Sequence, residues 1–301
     1  MRTAYLGTSE FAATVLRRLA ASPHRPSLVV TPPDRRQGRG RKVKPPPAAI
    51  AAQELGLELL RAENVNEEAA LERVRAAQPQ AVVVCAFGQL IREPLLSEFP
   101  MLNVHPSLLP RWRGAAPIER AIMAQDPTTG VCVMRLTAGL DSGPVALVEE
   151  LPIDPEENFD SLAAKLAELG GDLLVRALDL LAKNELEFTE QDEDGVTYAE
   201  KIESAERRLD PDRPAGELAA KVRALNPHVG TYLELPGIDR LGVRRAHPVE
   251  DELEPGRLEA RDGALLLGCG EGTLQLDEVQ PPGGKPMPAD AYLRGHSLPG
   301  Q

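Results

Sequence analysis

The sequence predicts an α/β protein: a Rossmann-like, doubly wound, mostly parallel sheet followed by a small OB-fold-like β-barrel domain. Three observations predict it. Short β-branched runs alternate with amphipathic stretches through the first half, the pattern of βαβ units around a parallel sheet. From residue 206 the pattern changes to short strand-like runs separated by Pro and Gly turns, with a single helix among them. The chain has 301 residues, 42% of them hydrophobic, which allows one large and one smaller core. The expected organisation is a first domain over 1–187, an acidic, polar linker over 188–205 and a C-terminal domain over 206–301.

Each element has a local reason. "TAYLG" is a strand, and in the following "TSEFAATVLRRLAAS" Ser9 is placed to cap a helix whose first turn holds Glu10. Phe11, Val15, Leu16 and Leu19 form the apolar face of that helix. "SLVVT" is a second strand, "PPAAIAAQELG" a helix closed by Gly56, and "NEEAALERVRAAQ" a helix leading into the buried strand "AVVVCAF". Next come the helix "IERAIMAQD", the strand "GVCVMRL" and the turn "TAGLDSGP". "NFDSLAAKLAELGGDLLVRALDLLAK" repeats apolar residues at Phe159, Leu162, Leu166, Leu169, Leu173 and Leu178, a long packing helix expected to bend or break at Gly170–Gly171. In the last third, "PAGELAAKVRALN" is a helix, and "VGTYLEL", "RLGVRRAH", "GRLEAR", "ALLLGC" and "TLQLDEV" are strands.

Composition narrows the function classes. A formal net charge of −12 excludes a protein that coats nucleic acid over its whole surface, because phosphate binding needs basic residues. Any such contact is local. Cys85, Cys132 and Cys269 stand far apart among apolar neighbours, so they suit buried thiols rather than a disulfide framework or a metal site. The opening "MRTAYLGTSEF" enters a strand without an apolar leader, and no run approaches the length of a membrane span. The expectation is a cytoplasmic monomer with neither a membrane nor a DNA partner.

Open α/β sheets bind ligands at the carboxyl ends of their strands, and Phe87-Gly88-Gln89 and Asn103-Val104-His105 fall there. The dinucleotide fingerprint is missing, since Gly7-Thr8-Ser9 offers one glycine and reads as a tight turn. Residues 103 and 105 of a strand share a face. An imidazole moves protons near neutral pH and a carboxamide can donate to a developing oxyanion. With Asp141 as a nearby carboxylate, the three make an acyl-transfer set. Spacing alone leaves ordinary alternatives open: His105 bonded to a turn carbonyl, and Asp141 as turn chemistry before Ser-Gly-Pro. A second feature is "DRRQGRGRKVK", residues 34–44, with six basic residues and one acid in an otherwise acidic chain. Arg, Lys and Gly interleaved in this way suit a segment that orders on an RNA backbone.

"NVHPSLLPRWRGAAPI" together with "GLDSGP" resembles the signature of the 10-formyltetrahydrofolate-dependent formyltransferases, and the resemblance implies Asn103, His105 and Asp141 as the catalytic residues. "GTSEFA", "PDRRQGRGRKVKPPP", "AFGQLI", "VTYAEKI", "RALNP" and "VQPPGGKPMPADAYLRGH" are similar, over nearly the whole chain, to the members whose acceptor is initiator methionyl-tRNA. Phe87 stands where the family commonly has tyrosine, and Pro32 where it often has a polar residue. The resemblance implies formyl transfer from 10-formyltetrahydrofolate to an amine, without a metal. The folate is expected against backbone at Phe87, Gly88 and Gln89 and against Ser107, Leu108, Leu109 and Pro110, with Phe11 lining a methionine pocket. Arg35, Arg36, Arg39, Arg41, Lys42 and Lys44 are the expected tRNA contacts, Arg39 at the opened end of the acceptor stem, on a loop without order until RNA binds. Two rivals share parts of this pattern: a formyltransferase acting on a small amine, and an RNA-binding protein without catalysis.

Overall fold

The computed structural model describes residues 1–37 and 42–298. In chain order the elements begin β1 (Thr3–Gly7), α1 (Glu10–Ala20), β2 (Pro26–Thr31), β3 (Arg35–Gln37), β4 (Lys42–Lys44), α2 (Pro47–Glu54), β5 (Leu59–Arg61), α3 (Glu68–Ala76) and β6 (Ala81–Cys85). They continue with α4 (Leu95–Glu98), β7 (Met101–His105), β8 (Arg113–Gly114), α5 (Pro117–Met123), β9 (Thr128–Arg135), β10 (Val145–Pro152) and α6 (Phe159–Ala182). The last are β11 (Tyr198–Ala199), α7 (Ala215–Leu225), β12 (Thr231–Leu235), β13 (Ile238–Val249), β14 (Leu258–Arg261), β15 (Ala264–Gly268), β16 (Thr273–Gln280), β17 (Met287–Pro288) and α8 (Ala289–Gly295). Two compact units result: Met1–Gly114 with Thr128–Pro152 and Ala163–Tyr198, and Ala115–Pro127 with Ile153–Leu162 and the chain from Ala199 onward.

The first unit is built on a seven-stranded sheet in the order β10-β9-β7-β6-β1-β2-β5. β5, β2, β1, β6 and β7 run parallel, and β9 and β10 are added antiparallel. Every residue of β1, β6 and β7 is buried, the consequence of covering a parallel sheet on both faces, which makes β6 an unbroken apolar run. β5 and β10 escaped the sequence reading. β5 has three residues, and β10 is an edge strand with no fully buried residue, whose short apolar start at Val145–Val148 gives way to Glu149 and Glu150. The Ser9 hydroxyl accepts from Ala12 N and so caps α1, and Gly56 follows α2 at φ +64°, a conformation suited to glycine.

Two expectations are corrected. α6 runs uninterrupted for 24 residues through Gly170–Gly171. The glycines serve packing instead: a Cβ on Gly170 would come within 2.9 Å of Val104 Cγ1 and 3.2 Å of Val131 Cγ1, and one on Gly171 within 2.8 Å of Arg18 Cβ. Missing side chains let α6 lie close on β7, β9 and α1, and the local backbone stays helical. The basic segment is not without order at its base: β3 and β4 pair antiparallel, Arg35 opposite Lys44 and Arg36 opposite Val43. Arg39 and Arg41 lie outside the described residues.

The second unit carries an antiparallel sheet in the order β12-β13-β16-β15-β14, with β17 on β16. Its core gathers Leu218 and Val222 of α7 with Leu233, Leu241, Val243, Leu265, Leu267, Leu274 and Leu276, the inward residues of strands that alternate in and out. Arg120 of α5 forks both guanidinium nitrogens onto Glu206, at 2.6 and 3.1 Å, and this hydrogen bonding holds the Glu206 carboxyl below its ordinary value. Among the described residues no helix is long and apolar enough to cross a membrane.

Candidate active site

β7 ends at the carboxyl edge of the first unit's sheet, where Asn103 and His105 project from one face and are buried to 7% and 4% exposure. The chain then turns. Ser107 N donates to His105 O at 3.0 Å and Ser107 Oγ to Arg111 O at 2.7 Å. Leu109 N donates to Cys132 Sγ at 3.4 Å, so the thiol of β9 anchors the turn from below. Burial pushes that thiol up to about 11, which keeps it protonated and inert at neutral pH.

Asp141 closes the group. Its Oδ1 accepts from Asn103 Nδ2 at 3.3 Å, and its Oδ2 accepts from Gly114 N at 2.9 Å and lies 3.6 Å from His105 Nδ1. His105 Nε2 is 2.9 Å from Trp112 O. A carbonyl oxygen only accepts, so Nε2 carries a proton and donates it there. The imidazole orientation follows: Nδ1 is the nitrogen presented to the Asp141 carboxylate, and a proton on Nδ1 makes the ring cationic. Asn103 has one amide hydrogen committed to Asp141 and a second that is free to serve a reacting oxygen. The two ordinary readings left open by the sequence, a histidine bonded to a turn carbonyl and an aspartate in a turn, are both realised. They coexist with the contacts of Asp141 to Asn103 and His105.

No local pattern in the sequence points to the residues that hold Asp141 in place. Asp141 has φ +44°, unfavourable for a residue with a side chain. Gln191 Nε2 donates to Asp141 O at 2.8 Å and to Gly143 O at 2.7 Å, and its Oε1 accepts from buried Arg113 Nε at 2.9 Å. Thr197 Oγ1 accepts from Trp112 N at 2.8 Å and Thr197 O from Arg113 N at 2.9 Å. These residues lie in the stretch read as a linker. Its polar, acidic composition carries no periodic signal, and Gln191 is 50 residues from Asp141.

Of the other expected residues, Phe87 is buried and its carbonyl accepts from Thr8 Oγ1 at 2.6 Å. Gly88 has φ +76°, and nothing stands within 4 Å of where its Cβ would be. A flat ring can therefore meet this backbone closely. The Gln89 side chain is committed to Val65 N and Ala62 O, so only its backbone faces a ligand. The Phe11 ring is half-buried against α6, with Cζ 3.8 Å from a Cβ built on Gly170. Arg35, Arg36, Lys42 and Lys44 stand on the hairpin, apart from the strand ends that carry Asn103 and His105. Among the described residues no cluster of His, Cys, Asp and Glu is placed to hold a metal ion.

The formyl transferase family model matches residues 1–178, and the model of the formyl transferase C-terminal domain matches residues 201–297. Methionyl-tRNA formyltransferase of Methylobacillus flagellatus is 42% identical over 301 residues, covering 99% of this chain and 97% of the relative. The chain belongs to the methionyl-tRNA formyltransferase family. It is accordingly a transferase. The Parvibaculum lavamentivorans relative of the same name is 39% identical, covering 100% of this chain and 99% of its own. Solved structures share the fold at low identity. HypX from Aquifex aeolicus in complex with tetrahydrofolic acid has a TM-score of 0.69 at 19% identity, and this chain spans 48% of it. The N-formyltransferase of Helicobacter canadensis, in complex with folinic acid and dTDP-3-aminofucose, has a TM-score of 0.68 at 13% identity, covering 91% of this chain and 98% of its own.

Proposed function

We propose that this chain transfers the formyl group of 10-formyltetrahydrofolate to the α-amine of methionine esterified to initiator tRNA, as a cytoplasmic monomer, with residues 1–187 as the catalytic domain, 188–205 as the connection and 206–301 as a tRNA-binding domain. The observation that carries the reading is the Asn103–Asp141–His105 cluster at the carboxyl end of β7, in a chain 42% identical over its length to a methionyl-tRNA formyltransferase.

The folate supplies a formyl carbon activated by its nitrogen leaving group. Backbone at Phe87, Gly88 and Gln89, open in front of Gly88, and the Ser107–Pro110 turn are the surfaces suited to its ring. Attack by an uncharged amine builds negative charge on the formyl oxygen. The free amide hydrogen of Asn103 and the Nδ1 proton of His105 are the donors aimed at that charge, and their bonds strengthen as it grows. Asp141, with Oδ2 3.6 Å from His105 Nδ1, relays the proton the amine sheds through an intervening water to the folate nitrogen, which leaves as the tetrahedral adduct collapses and its bond to the formyl carbon breaks. An α-amine has an ordinary pKa of about 8, so an unprotonated fraction exists at neutral pH. The Trp112 carbonyl keeps the imidazole from rotating its Nε2 into the site. Phe11 lines the methionine side of the pocket.

The basic segment supports the choice of acceptor. Arg35, Arg36, Arg39, Arg41, Lys42 and Lys44 contact the tRNA, with Arg39 at the opened end of the stem. The C-terminal residues from Ala205 hold 12 Lys and Arg against 16 Asp and Glu, so tRNA contacts there come from a restricted face. The test is transfer of formyl label from 10-formyltetrahydrofolate to methionyl initiator tRNA, with elongator methionyl-tRNA and small amines as controls. Label on a small amine and none on tRNA overturns the proposal.

A further inference from the structure

The hairpin after β2 carries charge that the fold leaves unbalanced. Arg35 and Lys44 stand directly opposite each other across β3 and β4, so their side chains leave the ribbon on one face, where like charges repel and weaken the pair. Asp34 is bound to Arg61 at 3.0 Å, and the sequence holds no further carboxylate until Glu54. Among the described residues no carboxylate lies within ion-pair distance of Arg35 or Lys44.

Both cations line a cleft of about 250 Å³ with Thr8 and Ser9, between walls made by Pro32, Pro33, Pro46 and Pro47. Proline fixes φ, so these walls hold their shape without a ligand. Ser9 Oγ accepts from Ala12 N at 3.3 Å and keeps its own proton to donate. Thr8 Oγ1 gives its proton to Phe87 O, which ties the floor of the cleft to the end of β6. Glu10, which follows, lies 3.9 Å from Arg17. Two uncompensated cations and a free hydroxyl in a small, rigid recess are the donor set of a phosphate.

We propose that this cleft seats one backbone phosphate of tRNA, the one 5′ to the terminal ribose that carries the methionyl ester; the proposal rests on the tRNA-acceptor reading above. The sheet order is β7-β6-β1-β2, so the cleft, at the ends of β1 and β2, stands two to three strand spacings, about 10–15 Å, from Asn103. From that phosphorus to the α-amine nitrogen the acceptor runs through eight bonds, about 10 Å when extended at the per-bond advance of a polypeptide. The next phosphate upstream lies a further six bonds away, about 17 Å from the amine when extended, so seating it here would require the terminal nucleotide to be compacted. The seat thus gauges the distance from the RNA backbone to the formyl-accepting amine.

The test pairs a protein change with an RNA change. Arg35→Gln/Lys44→Gln is compared with wild type on methionyl initiator tRNA carrying either the natural terminal linkage or an uncharged methylphosphonate there, and on a third tRNA with the methylphosphonate one linkage further 5′. Expected is a fall in kcat/KM of about 10- to 100-fold on neutralising the terminal linkage in wild type, a similar fall for the double variant on natural tRNA, and little further loss when both changes are combined. The upstream methylphosphonate should cost wild type and variant alike. Equal sensitivity of both proteins to the terminal methylphosphonate overturns the proposal. So does competition by millimolar inorganic phosphate that the variant abolishes while the methylphosphonate has no effect, since the cleft then takes free phosphate. The double variant relieves the like-charge pair and should melt no lower than wild type. Wild type inactive on every methionyl-tRNA would instead sink the acceptor assignment itself.

Discussion

Gln191→Ala should slow the reaction by acting through Asp141, a residue whose backbone is held against its own preference. Asp141 sits at φ +44°, a left-handed conformation costing about 1–2 kcal/mol for a residue with a Cβ. Gln191 Nε2 bonds both Asp141 O and Gly143 O. Two neutral hydrogen bonds contribute roughly 1–3 kcal/mol net, the same size as the strain they offset. Without them the turn is free to relax, and the carboxylate leaves its place between Asn103 Nδ2 and His105 Nδ1. A loss of about 1–3 kcal/mol in transition-state stabilisation corresponds to a fall in kcat of roughly 5- to 150-fold. Stability should fall by a similar energy, because the Arg113 Nε bond to Gln191 Oε1 goes too. KM for tRNA should hold. The assay that separates positioning from general damage is a double-mutant cycle in kcat with Asp141→Asn. Asp141→Asn alone should cost about 10²–10³, and adding Gln191→Ala should then change kcat less than threefold, about the ~0.5 kcal/mol scatter of additive pairs. Fully additive losses, or a lowered Tm with kcat untouched, would refute the reasoning.

Asn103→Ala removes one donor to the formyl oxygen and should lower kcat by roughly 10²–10³ with tRNA affinity nearly intact; stopped-flow or quench measurement of the single turnover checks it, and a near-normal rate would remove Asn103 from the chemistry. Gly170→Ala gains about 1 kcal/mol of helix propensity, yet its Cβ meets Val104 and Val131 at 2.9 and 3.2 Å, so urea unfolding should show a net loss of roughly 1–2 kcal/mol; a gain would mean the sheet yields easily. Burial pushes the Cys85 thiol up to about 12 and the Cys132 and Cys269 thiols to about 11 from an ordinary 9.0. None should react with a thiol reagent at pH 8 until the chain unfolds. With folded values above the unfolded one, their contribution to stability is complete below pH 9.0 and is lost as the pH rises towards 11–12. Alkaline melting curves flat across that range would contradict the burial. Replacing Arg39, Arg41 and Lys42 together by alanine should leave folate binding unchanged and flatten the salt dependence of tRNA binding by up to ~0.9 per lost duplex phosphate contact; an unchanged slope would take these residues off the RNA.

What the sequence determined by itself was everything whose cause is local. The unbroken apolar run at Ala81–Cys85 marks a strand covered on both faces, because burial on two sides leaves no polar alternation. The two-residue spacing of Asn103 and His105 places them on one face of a strand by backbone geometry alone. Ser9 caps the helix that follows it, and the change of rhythm after residue 206 marks an antiparallel sheet. Tertiary structure decided what depends on residues far apart in the chain. That Asp141 reaches both Asn103 and His105, that Trp112 O sets which imidazole nitrogen faces it, and that Gln191 clamps its strained backbone are contacts across 7 to 50 positions that no periodicity records. Gly170 and Gly171 show the same limit from the other side. A glycine pair reads locally as a helix breaker, since glycine has the weakest helix preference after proline. Only the strands and helix packed against it reveal that the missing Cβ atoms are what let α6 lie close enough to bury its leucines.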